Sequence, residues 1–215
     1  MPTSHSTAEF TGRPYSFVHV PKTAGVTLTH LLEGTSAPYS LDEDLRAHIV
    51  RDHADFLHRS HGVLFWHIHY GALESFYGRR FMDRRHSFAF LRNPWDWLVS
   101  MYHYIRAPEN RHYEQMIVAY MTFSEFLSFW RAKRTEQFDY VSSGTELGVR
   151  KLYRFEDLPN CLGELAGDIG IDAPDVVPRL NTSERDAYQQ YYTPETARLV
   201  RELCPNDIEL GGYDF

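Results

Sequence analysis

The sequence predicts an α/β protein: a parallel sheet wrapped by helices. Three observations predict it. Short β-prone runs alternate with stretches of helical periodicity, the order expected of strands joined by crossover helices. The first strand, "YSFVHV", ends on a proline and passes through "PKTAG" directly into a helix. A later strand, "HSFAFLR", is closed by Asn93-Pro94, and proline suits the first position of a helix.

Each element follows from its own signal. Tyr15–Val20 is short and apolar, hence a strand; the helix from Val26 carries Leu28, Leu31 and Leu32 and stops near Gly34. Residues 35–61 are polar and His-rich, with a helix expected around Asp42–Arg59. Gly62–Tyr70, "GVLFWHIHY", is the second strand-like run, and Ala72–Arg80 a short helix. His86–Arg92 is the third strand. The helix opened by Pro94 places Trp95, Leu98, Val99 and Tyr102 at i, i+3, i+4 and i+7, with Trp97, Met101 and Tyr104 on its other face, so it is buried on more than one side. Residues 106–122 form an excursion between elements. Phe123–Arg134 is a helix, Val149–Arg154 a fourth strand, and helices follow at Pro159–Ile169 and Pro194–Leu203.

Composition narrows the function. With 215 residues, 43% hydrophobic and 24% charged, the chain suits a single globular domain over 1–215, residues 1–14 being a loose lead-in. No run approaches the ~18 apolar residues of a membrane span. The N-terminus lacks the basic and apolar regions of a secretory signal, so a cytoplasmic location is expected. Two cysteines, Cys161 and Cys204, have no metal-binding spacing and read as reduced thiols. A formal net charge of −7 disfavours nucleic acid as a partner.

In such sheets ligands sit at the carboxyl ends of the strands. The loop "HVPKTAGVTL" lies there. A helix N-terminus leaves backbone N–H groups unpaired and favours an anion. Gly25 would admit a phosphate, Lys22 would add a charge, and the hydroxyls of Thr23 and Thr27 would add donors. Taken alone the loop reads equally well as an anion cradle or as a plain turn with a surface lysine. A nucleoside-triphosphate P-loop needs GxxxxGK[ST]; here the lysine precedes the glycine, and no magnesium-holding aspartate follows an apolar strand.

Two blocks together resemble the sulfotransferases that use 3′-phosphoadenosine 5′-phosphosulfate (PAPS). "HVPKTAGVTL" is similar to their 5′-phosphosulfate-binding loop. "FLRNPWDWLVSMYHY" is similar to their 3′-phosphate-binding segment, with Arg92 ending a strand and Ser100 eight residues on. "YRFEDL" at 153–158 and the block from Arg179 to Phe215 place the resemblance closest to the branch containing heparan sulfate 2-O-sulfotransferase and bacterial relatives.

The resemblance implies a P-loop-NTPase-like central parallel sheet flanked by helices on both faces. It implies transfer of a sulfuryl group from PAPS to an acceptor hydroxyl, leaving PAP and using no metal. Lys22 would stabilise the bridging oxygen while the backbone N–H groups of Ala24, Gly25, Val26 and Thr27 hold the 5′-phosphate. Arg92 and Ser100 would grip the 3′-phosphate, and Arg179 and Arg185 in "RLNTSERD" would belong to a late basic loop on the cofactor. A histidine is the expected base. On a strand His67 and His69 would share a face; the family's H-x-x-Y context favours His67, while an H-x-H pair would favour His69. The family often has arginine or lysine where this chain has Trp97. The acceptor implied is a carbohydrate, a small molecule or a lipid-like alcohol, and acidity and 15% aromatic residues point away from long heparin-like chains. A nucleotide kinase or a silent PAP-binding module on the same fold are the rivals.

Overall fold

The computed structural model describes residues 14–32, 36–40, 62–173 and 185–215, with the backbone alone for 36–40 and 62–66. The helix expected around 42–59, nearly all of the lead-in and Arg179 lie outside these residues.

The described strands are β1 (Tyr15–His19), β2 (Ser36–Ser40), β3 (Gly62–Trp66), β4 (His86–Leu91), a two-residue hairpin β5 and β6 (Ser142–Ser143, Glu146–Leu147), and β7 (Lys151–Arg154). Five of them form one parallel sheet in the order β2-β3-β1-β4-β7. From β1 the chain first crosses to one side and later, with β4, to the other. That reversal opens a crevice at the carboxyl ends of β1, β3 and β4, where such sheets hold their ligands.

Side chains alternate along the strands as a sheet covered on both faces requires. Phe17, Phe88 and Phe90 pack with Leu28 of α1 (Gly25–Leu31) and with Leu162 and Leu165 of α8 (Leu158–Ile169). Val18 and Ala89 point the opposite way, onto Leu73 of α2 (Tyr70–Tyr77), Met82 of α3 (Arg79–Asp83) and Val141 of α7 (Phe138–Val141). Helices therefore flank both faces, as expected. Each fully buried phenylalanine contributes roughly 1.5–3 kcal/mol.

A third cluster lies beside the sheet. It joins α4 (Pro94–Arg106), α6 (Phe123–Lys133) and α9 (Pro194–Leu203) through Trp95, Trp97, Phe126, Trp130 and Val200. Pro94 opens α4 as expected, and the Asn93 side chain caps it by accepting from the Trp95 N–H. α6 opens on a reciprocal Thr122–Glu125 capping box. Within 106–122 lies the short α5 (Gln115–Val118), and the chain closes through α10 (Pro205–Gly211).

Two expectations are corrected. The strand expected over Gly62–Tyr70 ends at Trp66: His67 takes a left-handed conformation, φ 54°, and Tyr70 already opens α2. Residues 36–40, read as a polar connection, form the edge strand β2. Pro38 suppresses the strand signal there, but an edge tolerates the missing donor. No helix among the described residues is long and apolar enough to cross a membrane.

Candidate active site

The loop after β1 is held against its own conformational preference. Lys22 and Ala24 both adopt left-handed backbone angles, φ 64° and 67°, which non-glycine residues avoid. Three consecutive carbonyls are fixed from below. The Val20 carbonyl accepts from the Thr23 hydroxyl at 2.8 Å, that of Pro21 from the Trp97 indole at 2.8 Å, and that of Lys22 from Arg92 Nη1 at 3.1 Å. The hydroxyl of Thr23 is thus turned inward and closes the loop, leaving its N–H for any anion. Thr27 is buried, while Val26 faces outward on the first turn of α1.

Gly25, the first residue of α1, is required by a neighbour. A Cβ at this position would lie 1.7 Å from Nε2 of His19. His19 is buried at the end of β1, its ring stacked on Phe17. Burial, reinforced by the charges of His67 and Lys22, holds its pKa down to about 3, so it is neutral.

Cations gather over this loop. Arg92 follows β4 directly and pairs with Asp96 through Nε at 2.7 Å and Nη2 at 2.6 Å, with its guanidinium 4.5 Å above the Phe155 ring. Arg185 pairs with the other oxygen of Asp96. The side chain of Arg185 is 10% exposed, and its Nη1 is buried without a hydrogen-bond partner among the described residues. Lys22 Nζ sits 4.5 Å above the Tyr104 ring. Partial burial lowers the pKa of Lys22, and the neighbouring Arg92 and Arg185 lower it further. Arg92 and Arg185 thus share Asp96, with Lys22 close to both; Glu156 is tied to the Asn93 N–H and the Tyr213 hydroxyl.

α4 carries the floor of this cluster. Asp96, Ser100 and Tyr104 are spaced i, i+4, i+8 and lie along one face. Asp96 meets the two arginines and Tyr104 meets Lys22, so the buried Ser100 stands between the ends of the site.

The histidines separate. The His67 N–H continues the β1–β3 ladder onto the His19 carbonyl at 3.1 Å, and its ring lies 4.7 Å from that of His19. His69 is the N-cap residue of α2 and packs on Tyr140 at 4.5 Å. With the strand ended at Trp66, the shared-face expectation fails. His67 is drawn to the loop and His69 toward Tyr140.

Sequence reasoning brings Lys22, Gly25, His67, Arg92, Ser100 and Arg185 to one end of the sheet. It misses Asp96 and Tyr104 as parts of the site, although their i+4 spacing from Ser100 is readable. It places Trp97 on a buried helix face and notes the lost charge, but not its bond to the loop. Trp97 is fully buried, and its indole N–H holds the loop.

No family model matches the chain, and no curated protein sequence does. Among solved structures, it is similar to a mouse sulfotransferase, SULT7A1, complexed with PAP: TM-score 0.59, 17% identity, over 91% of this chain and 84% of that one. A sulfotransferase from Alicyclobacillus acidocaldarius aligns over 95% of this chain and 98% of its own, at 15% identity and a TM-score of 0.46. The central parallel sheet, its order and the likeness to the mouse protein give the chain a P-loop-like sulfotransferase fold.

Proposed function

We propose that the protein is a PAPS-dependent sulfotransferase acting on an acceptor hydroxyl. The carrying observation is the convergence of Lys22, Arg92 and Arg185 on the loop after β1, with one carboxylate among them. Such a donor set fits a nucleotide that carries two phosphate groups. Arg185 Nη1, without a hydrogen-bond partner among the described residues, fits a phosphate oxygen, and bidentate guanidinium geometry suits phosphate.

In this reading the amides of Ala24 to Thr27 hold the 5′-phosphate, and Arg92, Ser100 and Arg185 hold the 3′-phosphate. Lys22 stands at the bridging oxygen. The sulfur–oxygen bond to the 5′-phosphate breaks as one to the acceptor forms, and the charge left on the phosphate is met by Lys22 and the loop amides. Lys22 supplies that charge, so the reading calls for no metal. His67 takes the acceptor's proton; its contact with neutral His19 keeps a second cation away from it. The resemblance of Arg92, Ser100 and the C-terminal block supports kinship with the branch containing heparan sulfate 2-O-sulfotransferase.

The acceptor side is apolar. From Lys22 a line of rings runs outward: Tyr104, then His112 at 6.0 Å, then Tyr113 stacked on His112 at 4.5 Å. Tyr113 is exposed, as are Met116, Ile117 and Tyr120 a few residues on in the same excursion. Such a surface suits an alcohol with an apolar body better than an anionic polysaccharide.

Calorimetry with adenosine 3′,5′-bisphosphate and with ATP–Mg²⁺, followed by transfer from labelled PAPS to an acceptor panel, tests the reading. Binding of the bisphosphate and labelling of an apolar alcohol are expected. Binding of ATP–Mg²⁺ alone would overturn it, and bisphosphate binding without transfer to any acceptor would favour a silent binding protein.

A further inference from the structure

We propose that Gln137 and Asp207, far from Arg92 in sequence, are positioning residues that set the anion site by fixing the backbone of Arg92. The assignment rests on the reading of Arg92 as a phosphate ligand.

β4 ends at Leu91, where its ladder with β7 also ends, at the Leu91–Arg154 register pair. One residue later Arg92 would have an unpaired backbone. The side-chain amide of Gln137 takes the place of a neighbouring strand there. Its Oε1 accepts from the Arg92 N–H at 2.9 Å, and its Nε2 donates to the Arg92 carbonyl at 2.8 Å.

Asp207 in turn fixes Gln137. Its Oδ2 accepts from the Gln137 N–H at 3.0 Å and from Gln137 Nε2 at 3.1 Å, while Oδ1 accepts from the Phe138 N–H at 2.7 Å. Glu136 returns the contact by accepting from the N–H groups of Asn206 and Asp207 at 3.1 and 3.3 Å. The amino ends of α7 and α10 thus cap each other, and Gln137 and Asp207 are both fully buried.

Only one orientation of the Gln137 amide serves these partners. Reversing it would set oxygen against the Arg92 carbonyl and the Asp207 carboxylate, and NH₂ against the Arg92 N–H. The polar network therefore selects one backbone geometry at Arg92, something an apolar contact would not do. From that fixed backbone the guanidinium reaches the Lys22 carbonyl and Asp96, and Asp96 reaches Arg185. A displacement at Arg92 would move the loop brace and both arginines together.

The test separates position from stability. Gln137→Met keeps the volume and removes both bonds to Arg92; Gln137→Glu replaces the Nε2 donor by an oxygen that faces two acceptors, the Arg92 carbonyl and Asp207. Leu165→Ala, on the core face of α8 and outside this polar network, serves as a destabilised control. Affinity for adenosine 3′,5′-bisphosphate is measured by calorimetry well below each melting temperature. A loss of about tenfold or more is expected in either folded Gln137 variant, against less than twofold in Leu165→Ala. Wild-type affinity in a folded Gln137 variant, or an equal loss in Leu165→Ala, would overturn the assignment alone. Failure of the unaltered protein to bind the bisphosphate would overturn the functional reading and this assignment with it. Should both Gln137 variants fail to fold, Asp207→Asn, which opposes NH₂ to at least one buried N–H donor, is read by the same criteria.

Discussion

The indole N–H of Trp97 donates to the carbonyl of Pro21 over 2.8 Å, tying the first turn of α4 to the loop after β1. Trp97 serves here as a brace on the loop. Pro21 immediately precedes the left-handed Lys22, so the bond acts on the residue that most needs holding.

Trp97→Phe keeps most of the ring and deletes the donor. A neutral hydrogen bond contributes about 1 kcal/mol, and an unmet buried carbonyl costs about 1–3 kcal/mol. The variant is expected to lose stability in that range and to turn over several-fold more slowly, with one of the three braces on the Lys22 turn gone. Urea denaturation and labelled-PAPS transfer check both; unchanged turnover in a destabilised variant would show the bond to be structural only.

Gly25→Ala tests the contact with His19. The new methyl would overlap the imidazole, and relieving such overpacking typically costs about 1–3 kcal/mol. The same methyl added to His19→Ala, where the ring is gone, should cost much less. A double-mutant cycle measured by denaturation is expected to give strong positive coupling. Additive losses would mean that the backbone alone demands glycine here.

These residues also mark what the sequence could and could not convey. Strands β1 and β4 and helices α4, α6, α8 and α9 are legible because their apolar periodicity and Pro or Thr caps agree with their burial. The short β2 and the end of β3 are not. Pro38 hides the one, and the left-handed turn at His67 follows an apolar run that continues through Ile68 and Tyr70. Within the site, Lys22, Arg92 and Ser100 are readable because each sits at a fixed offset from a strand end. Gln137 reaches the site through a contact 45 residues distant, which no local pattern records; Arg185, 89 residues from Asp96, is named by the resemblance of its block and not by a strand-end offset.

Acid should weaken the fold through His19. Its folded pKa, about 3, lies below the 6.5 of the free side chain. Above about pH 6.5 both states are neutral and the stabilisation is complete. As pH falls below that, the unfolded chain takes up a proton that folded His19 refuses, so stability declines until about pH 3. One such proton gives a slope approaching about 1.4 kcal/mol per pH unit. Urea midpoints at pH 7.5, 5.5 and 4.5 are expected to fall, and to fall less steeply in His19→Gln; parallel profiles would assign the acid sensitivity to other histidines.

Lys22 and His67 divide the chemistry in the proposed reaction. Lys22→Ala removes a charge that matters most as the phosphate departs, and losing one such preorganised donor costs on the order of 10²–10³ in kcat. Its ground-state contribution is smaller, since burial and the nearby arginines already disfavour its charge; affinity for adenosine 3′,5′-bisphosphate should change by less than about tenfold. His67→Ala removes the base, a loss of roughly 10²–10⁴ in kcat with bisphosphate affinity intact. Arg92→Ala should show the reverse split, with bisphosphate affinity falling first. His69→Ala should retain turnover, because its ring packs on Tyr140 while that of His67 lies against His19 beside the Lys22 loop. Loss of turnover in His69→Ala with full activity in His67→Ala would transfer the role of base to His69.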